Sequence, residues 1–528
     1  MVGKACQLKM TMLPSVTASA RSVGVPALLI AAVLTAGPAH AQRTTLAATG
    51  PSTFQVSDIP ARALTLDQVI DLAEARSEQI AIAQFGVDRA VAGEQRARSE
   101  RLPQLAGGAS YDRTLKSEFE GIFSSGAGDG GFGGDVSELP FGQPNAFRLN
   151  LAFSQALYAG GRIDAQQRLA EVGRNVADSS LRSARAQMVL DATQAFYDAA
   201  LTDRLVAIAE ASLQQAEATL AQVELAYKAG RSPEFDALRA RVARDNQRPN
   251  VIRAKANRTI AYLRLKQLLE IPASQPVTVS AELDDPTLDP PSRFAGLLAE
   301  VTAVPASQTA AGRVPVQQAT AAVQAREAAL RITKSQRRPY VSVNSAFGEV
   351  AYAGVPGFDD WRTNWTVGAS VQIPLFTGGR LKAEEVSAGA DVGEARARQK
   401  LTVELSEAET EATLALLEAA VAAWKASAGT VEQAARAYDI ADLRYREGIS
   451  TQLELLDARL VLQSAQVNRA QAARDVQVAR ARVSLLPDLP LGNAAIDAAN
   501  SAGAIAQAVA QAGAARSAAA TGPGGGIR

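Results

Sequence analysis

The order of apolar and polar positions changes in the same way twice along the chain. Residues 65–100 and 316–337 have a helical pattern, whereas residues 147–157 and 361–375 alternate strictly between apolar and polar or small side chains. A period of two over about 11 to 15 residues predicts a strand with one apolar and one polar face. The pattern therefore predicts a helix and then a long amphipathic strand in each half of the chain.

Each long strand has a weaker neighbour and is followed by a long helical segment. Alternation at residues 104–116 and 340–350 predicts a hairpin partner in each half. Residues 162–232 and 375–486 contain no proline, and a helix from 162 to about 228 would be about 100 Å long at 1.5 Å per residue. The apolar positions of this helix form a narrow stripe with many alanines, which is typical of coiled-coil packing.

The long helices are predicted to turn and run back. Turns at Gly230 and Gly448 lead into returning helices over about 234–270 and 451–486. Pro249 lies inside the first of these, where a proline removes a hydrogen bond and clashes with the preceding turn. We therefore expect a kink or an interruption at that point.

Three sequence motifs repeat at matching places, which indicates a tandem duplication. Tyr-x-Gly-Gly-Arg returns as Phe-x-Gly-Gly-Arg 218 residues later, and the Tyr-x-x-Gly motif returns at the same offset. The matched positions are Gly160, Gly161 and Arg162 with Gly378, Gly379 and Arg380, and Tyr227 and Gly230 with Tyr445 and Gly448. Residues 101–103 likewise match 337–339, and the longer first copy is explained by a Gly-rich insert.

The N-terminus has the features of a secretory signal peptide, residues 1–41. Lys4, Lys9 and Arg21 precede a short apolar run that ends in an Ala-x-Ala cleavage site. The remaining predicted boundaries are a first repeat at 42–271, a Pro-rich, largely non-helical connection at 272–315, a second repeat at 316–488 and a disordered Ala/Gly-rich tail at 489–528.

Loss of the signal peptide excludes much enzyme chemistry. Cleavage after Ala41 would remove Cys6 and His40, the only cysteine and the only histidine. Zinc or copper sites built on these residues and Ser-His-Asp triads are thereby excluded, so we expect no metal, no cofactor and no enzymatic activity. The chain has 54 Lys+Arg and 54 Asp+Glu, a balance that argues against binding of nucleic acid through a strong basic field.

The strands are the segments expected to enter a membrane, because we find no apolar helix long enough to cross one. Four strands cannot close a barrel, since barrels begin at about eight, so several copies must contribute. The aromatic residues expected to form an interface girdle are Tyr158, Tyr340, Trp361, Trp365 and Phe376. The competing interpretation of the pattern is a soluble hairpin buried against helices.

The duplicated order of helix, R-x-P, hairpin, [YF]-x-G-G-R, long helix, Y-x-x-G turn and helix resembles the TolC family of outer-membrane efflux channels, over about residues 62–488. The resemblance implies a mainly α fold with membrane β-hairpins. It also implies a homotrimer with a 12-stranded β-barrel, four strands per protomer, continued by a 12-helix periplasmic α-barrel. The segment 272–315 and residues near 488 would build an equatorial region, and the insert at 121–145 would be an extracellular loop.

The resemblance further implies an exit duct in the outer membrane, in contact with its lipid. A periplasmic adaptor protein and an inner-membrane transporter of ABC or RND type would dock on it, for efflux or type I secretion. Its pore would close at the periplasmic tip, where the family places residues matched here by Glu454, Asp457, Asp236 and Tyr445. An acidic ring from three protomers would favour cations. Ser450 stands where some members have a basic gate partner, so the gate contacts here are expected to differ.

A second hypothesis is a soluble periplasmic coiled-coil adaptor or scaffold. Adaptors usually have one helical hairpin, whereas this chain has two, each preceded by a β-hairpin compatible with lipid. A third hypothesis, an exported enzyme, lacks candidate catalytic residues. The sequence leaves the cargo and the partner transporter undetermined.

Overall fold

The structure is a computed structural model. It describes residues 63–116, 145–281, 283, 288–352 and 361–492. The predicted signal peptide, residues 121–144 of the predicted Gly-rich insert and the tail beyond Gly492 lie outside the described residues.

The first copy consists of two short helices, a β-hairpin and two long helices. Its elements are α1 (Leu66–Arg76), α2 (Glu78–Ser99), β1 (Gln104–Arg113), β2 (Asn145–Tyr158), α3 (Arg162–Lys228) and α4 (Glu234–Leu268). The single helix predicted over 65–100 is divided at Ser77, which has an extended backbone and accepts a hydrogen bond from the Ile80 N–H at 3.3 Å. A serine in this N-cap position starts a new helix, because its hydroxyl satisfies a free amide.

The second copy repeats this order. Its elements are α7 (Val314–Ser335), β3 (Tyr340–Ala351), β4 (Arg362–Gln372), α8 (Arg380–Arg446) and α9 (Gln452–Leu485). The long helices α3 and α8 each contain 67 residues and are therefore about 100 Å long. Both begin at the residue after Gly-Gly, as the repeated motif predicted.

The connection between the copies is more helical than expected. It contains α5 (Ser292–Ala303) and α6 (Ala306–Gly312), so the prediction of a largely non-helical segment was wrong. Pro291 and Pro305 occupy the N-cap positions of these helices, and Pro315 lies in the first turn of α7. Proline is tolerated at the start of a helix because the first amides have no intrahelical acceptor. Here the prolines begin helices instead of excluding them.

The four strands form one antiparallel sheet in the order β1-β2-β3-β4. Directly paired residues share a face, and Leu151 lies opposite both Gly107 and Phe347, while Trp365 lies opposite Phe347. Odd-numbered residues of the paired strands thus form a largely apolar face, and even-numbered ones form a polar face. Val367 on the apolar face is 71% exposed, so nothing in the protomer covers it.

A register shift near the helical end of β2 changes which face its last residue occupies. The shift falls between Ala156 and Tyr158, and it pairs Tyr158 with Val341 on the apolar face. Tyr340, the first residue of β3, lies opposite Gln372 on the polar face, and its place in the girdle stays a prediction. Alternation along β2 could not show the face of Tyr158, since a register shift depends on the partner strand, whereas Tyr340 follows the regular alternation of β3.

The long helices pack as two antiparallel hairpins, α3 with α4 and α8 with α9. α9 also packs against α3, which joins the two hairpins side by side. α4 continues through Pro249, so the helix is not interrupted there, and the alternative of a kink stays a prediction. A proline inside an isolated helix costs about 3 kcal/mol, through the lost hydrogen bond and the clash of its ring with the preceding turn. Packing of α4 along α3 supports the helix on both sides of the proline.

A buried ion pair fastens the connection and the end of the described chain to α8. Arg313, between α6 and α7, is fully buried, and its Nη2 lies 3.1 Å from Glu409 Oε2 on α8. The other oxygen of Glu409 accepts a hydrogen bond from the Gly492 N–H at 3.1 Å. Burial lowers the pKa of Arg313, while the charge of Glu409 acts in the opposite direction. Glu409 therefore holds α6, α7 and the C-terminal residues on one helix.

One described helix, α8, passes a length and composition test for a membrane span, with a mean hydropathy of 1.2 over 18 residues. The expectation that no helix would do so was wrong for this segment. Only 6% of that window is buried in the protomer. An apolar flank of a long coiled-coil helix meets the same test, because packing against another helix also selects apolar residues.

Candidate gate and strand–helix junction

The turns between strand and helix require glycine. Gly160 and Gly161 have φ angles of +63° and +87°, and Gly378 and Gly379 have +59° and +87°. These values lie in the left-handed region, which glycine enters without steric cost. The repeated Gly-Gly-Arg motif thus corresponds to the same sharp turn in both copies.

Arg338 packs on the first of these turns. Its Nη1 donates a hydrogen bond to the Gly160 carbonyl at 3.2 Å. A Cβ atom on Gly160 would lie only 2.7 Å from Cβ of Arg338 and 2.9 Å from the Ser335 carbonyl oxygen. Gly160 is therefore required both for its backbone angle and for the close approach of α7. The corresponding Gly378 meets no described atom within 4 Å.

A cleft of about 310 Å³ lies at this junction between the sheet and the long helices. We call it the junction cleft; its polar lining includes Arg162, Arg338, Tyr340, Gln372 and Arg380. The Arg162 guanidinium carbon lies 5.9 Å from the centre of the Tyr340 ring, a cation–π distance. Arg380 pairs with Glu384, one turn further along α8, at 2.6 Å.

The turns at the other end of the helices are also equivalent. Gly230 and Gly448 have φ angles of +73° and +72°. In the first turn the Arg231 N–H donates to the Ala226 carbonyl at 2.8 Å and the Gly230 N–H donates to the Tyr227 carbonyl at 2.9 Å. This pair of hydrogen bonds is a Schellman motif, and the second turn has the same two bonds. The Y-x-x-G motif thus ends a helix with a glycine cap in both copies.

The two tyrosines of these motifs have different surroundings. Tyr445 is partly buried and packs against a small apolar cluster of the first hairpin, formed by Leu220, Val223, Ala237 and Ala240. Tyr227, its counterpart, is 44% exposed. Within one protomer, Tyr445 therefore ties the second hairpin to the first.

Asp236 lies close to this contact. Its carboxylate accepts a hydrogen bond from Ser232 Oγ at 3.2 Å. Burial raises the pKa of the Tyr445 hydroxyl, and the charge of Asp236 raises it further. The structure thus brings together two of the four predicted gate residues, on different hairpins.

Glu454 and Asp457 lie in the first turns of α9. Thr451 caps this helix by accepting a hydrogen bond from the Glu454 N–H at 3.4 Å. Both carboxylates are exposed. Their spacing of three places them on one side of the helix. Neither forms an ion pair with another described residue, so both charges face outward from the hairpin.

Two buried polar residues near the tip were not predicted. Gln452 and Arg459 are 4% and 5% exposed and lie on the same stripe of α9 as Leu455 and Leu462. The Gln452 side-chain amide and the Arg459 Nε have no hydrogen-bond partner among the described residues. Burial lowers the pKa of Arg459, while the nearby Tyr438 acts in the opposite direction. Their spacing within an apolar stripe was a usable signal, since polar residues seldom occupy such positions.

The remaining girdle residues lie around the sheet. Trp365 is 49% exposed on the apolar face, and its Nε1 donates to Ser345 Oγ at 3.0 Å. Trp361 immediately precedes β4, and Phe376, beyond its other end, is 91% exposed. Together with Tyr158, these residues provide aromatic surface at or near the strands.

The described part of the chain contains no group of three or more His, Cys, Asp or Glu residues placed to hold a metal ion.

Comparison with known proteins agrees with this architecture. The sequence profile of the outer membrane efflux protein family matches residues 69–270 and 306–486. The chain therefore belongs to the outer membrane efflux protein family, whose members are channels and not enzymes. It is located in the outer membrane, with its helical part in the periplasm. The family resemblance inferred from the repeated motifs is thus confirmed.

Individual relatives are distant but cover most of the chain. Nodulation protein T of Rhizobium leguminosarum bv. viciae is 24% identical over 68% of this chain and 71% of its own length. The pyoverdine export outer membrane protein OpmQ of Pseudomonas putida is 25% identical over 77% of this chain and 82% of its own.

Solved structures show the same fold. The outer membrane protein VceC of Vibrio cholerae matches with a TM-score of 0.64 and 21% identity, covering 80% of this chain and 96% of that one. The CmeC outer membrane channel of Campylobacter jejuni matches with a TM-score of 0.63 and 16% identity, covering 81% and 86%. The fold is that of the TolC-like trimeric channels, in which a β-barrel is continued by an α-barrel.

Proposed function

We propose that this protein is the passive exit duct of a tripartite efflux or type I secretion system. A periplasmic adaptor and an inner-membrane transporter of ABC or RND type would complete the system. The single observation that supports a duct most strongly is the sheet. It has an exposed apolar face, a polar face and two edge strands, β1 and β4, that are unpaired among the described residues.

A sheet with unpaired edge strands and an apolar face can be accommodated in a lipid bilayer in one way. Every backbone group must be hydrogen-bonded there, so the edge of one copy must pair with the edge of the next until a barrel closes. Three copies with four strands each reach a closed barrel whose polar faces line a lumen. The hairpins α3–α4 and α8–α9 then extend that lumen through the periplasm.

The resting pore would be closed at the helical tip. Tyr445 and Asp236 lie together where the two hairpins meet, which supports a role in holding these hairpins side by side. Glu454 and Asp457 are exposed in the first turns of α9, just after the tip turn that follows Tyr445, so three copies would place their carboxylates around the axis. Separation of the hairpins by a docked partner would open the pore, and the partner would supply the energy.

The gate is tested by conductance across planar bilayers. We expect the double variant Tyr445→Phe/Asp236→Asn to conduct more than the wild type at rest, because the contact between the hairpins is weakened. Glu234→Gln, which removes an exposed carboxylate from the same turn as Asp236, is the matched control and should leave conductance unchanged. Equal conductance of all three proteins would refute the gate assignment.

The tripartite arrangement is tested by photo-crosslinking in intact cells. A photoreactive residue at Leu453, 56% exposed at the tip, should capture a periplasmic adaptor, whereas one at Leu297, 43% exposed on α5, should not. Crosslinks from neither position would argue against docking at the tip.

The alternative function, a soluble coiled-coil adaptor or scaffold, is not favoured by the family assignment. Extraction of membranes with sodium carbonate separates the two functions, since an integral barrel stays in the pellet. Three-fold particles in mild detergent, imaged by electron microscopy, would support the duct. Protein released into the carbonate supernatant would support the scaffold.

A further inference from the structure

The junction cleft lies on the polar side of the sheet. Tyr340 and Gln372 both line it, and they are paired directly across β3 and β4. They share a face with Ser342 and Ser370, whose hydroxyls are 2.8 Å apart. In a membrane barrel the apolar face meets lipid and the polar face meets the lumen. The cleft therefore opens toward the lumen, at the level where the barrel joins the long helices.

The charge in this cleft is positive. Three arginines line it and no acidic residue does. Arg380 has a carboxylate partner, Glu384, outside the lining. Arg162 is placed over the Tyr340 ring and Arg338 donates one hydrogen bond to a carbonyl, and neither forms an ion pair with a described carboxylate. Two guanidinium groups are thus left with uncompensated charge and with free donors.

The duplication and the glycine turns place these arginines at the same height along the axis of the long helices. Arg162 and Arg380 are the first residues of the two 67-residue helices, each directly after a left-handed glycine. Arg338 is held against Gly160, where no larger residue fits. The arginines therefore lie on rigid elements and keep their positions while cargo passes. Three protomers would repeat them around the axis as a ring.

We propose that this arginine ring binds the anionic group of the cargo, a carboxylate, phosphate or sulfate, at the level where the barrel joins the long helices. The proposal rests on the proposed function, since it needs cargo to pass through the lumen. Guanidinium groups suit these anions because their donors form paired hydrogen bonds with two oxygens. A passage lined by one sign of charge also raises the local concentration of the opposite ion.

The test is ion selectivity of the full-length channel in planar bilayers under a potassium chloride gradient. The double variant Arg162→Gln/Arg380→Gln should lower the ratio of chloride to potassium permeability about threefold, the effect of losing roughly one kT of potential. It should also weaken block of the current by citrate, a multivalent anion. Arg162→Lys/Arg380→Lys retains the charge and should preserve much of the selectivity.

Two further variants guard against misfolding and indirect effects. Gln372→Glu places a carboxylate in the cleft without changing any arginine, and it should also lower the ratio of chloride to potassium permeability and weaken the citrate block. Arg293→Gln, an arginine of α5 that pairs with Asp71, is the control and should change neither. A conducting Gln372→Glu channel with unchanged selectivity would overturn the proposal, whereas the absence of any conductance in both the wild type and the Tyr445→Phe/Asp236→Asn variant would overturn the duct itself.

Discussion

The buried pair of Arg313 and Glu409 allows a quantitative prediction about the middle of the molecule. The Arg313 side chain is 0% exposed and that of Glu409 is 15% exposed. Removal of one partner of a buried ion pair costs about 3–5 kcal/mol, because the other charge stays buried without compensation. The two partners differ in what they leave behind, so the two single substitutions should not be equal.

Glu409→Gln should be the more damaging change. It leaves the Arg313 guanidinium fully buried without the one carboxylate that pairs with it in the described part of the chain, and the Arg313 Nε has no hydrogen-bond partner there either. We expect a loss of about 3 kcal/mol, at the lower end of the range because the amide oxygen still accepts a hydrogen bond. Arg313→Met should cost less, about 1–2 kcal/mol. Glu409 then retains Arg482 at 3.7 Å and the Gly492 N–H at 3.1 Å.

Hydrogen–deuterium exchange measures this loss locally. The amides to follow are those of Gly492 and of Val314, which donates to the Pro487 carbonyl at 2.8 Å. A loss of about 3 kcal/mol should accelerate their exchange on the order of 100-fold in Glu409→Gln. The double variant Arg313→Met/Glu409→Gln should exchange more slowly than Glu409→Gln alone. Faster exchange in Arg313→Met than in Glu409→Gln would refute the reasoning.

Three other predictions concern the turns, the membrane surface and alkaline pH. Gly160→Ala should reduce the yield of assembled protein more than Gly378→Ala does. Both glycines have a positive φ, but only at Gly160 would a new Cβ lie within 3 Å of other atoms. Equal yields of the two variants from membranes would contradict this prediction. Trp365→Lys should destabilise the membrane-inserted form by no more than about 1 kcal/mol, the effect expected of a girdle residue at the interface. Urea unfolding in lipid vesicles measures this, with Thr366→Lys on the polar face as control, and a loss of about 2–4 kcal/mol would contradict the interface position. Burial, assisted by the hydrogen bond to Asp203, raises the pKa of Tyr262 to about 12. The neutral Tyr262 therefore stabilises the folded state fully below about pH 10, and this stabilisation is lost as the pH rises through 12. Tyr262→Phe should therefore show a shallower loss of stability between these pH values in thermal unfolding, and an unchanged slope would argue against this role of Tyr262.

Local patterns determined much of the fold. The start of α3 at Arg162, the start of α8 at Arg380 and the two tip turns follow from short motifs with a local physical cause, namely a left-handed glycine before or after a helix. Strict alternation likewise determined the strands, because successive side chains of a strand point to opposite faces. The offset of 218 residues then fixed the equivalence of the two copies.

Features that depend on a distant partner were decided only by the tertiary structure. Tyr158 lies on the apolar face because a register shift pairs it with Val341, and Pro249 stays within a continuous helix without the interruption that its local sequence allows. Equivalent residues such as Tyr227 and Tyr445 differ in exposure because only one of them meets the other hairpin inside the protomer. The convergence of Arg162, Arg338 and Arg380 is of the same kind. Residues far apart in sequence become neighbours only through packing, and no local periodicity encodes that.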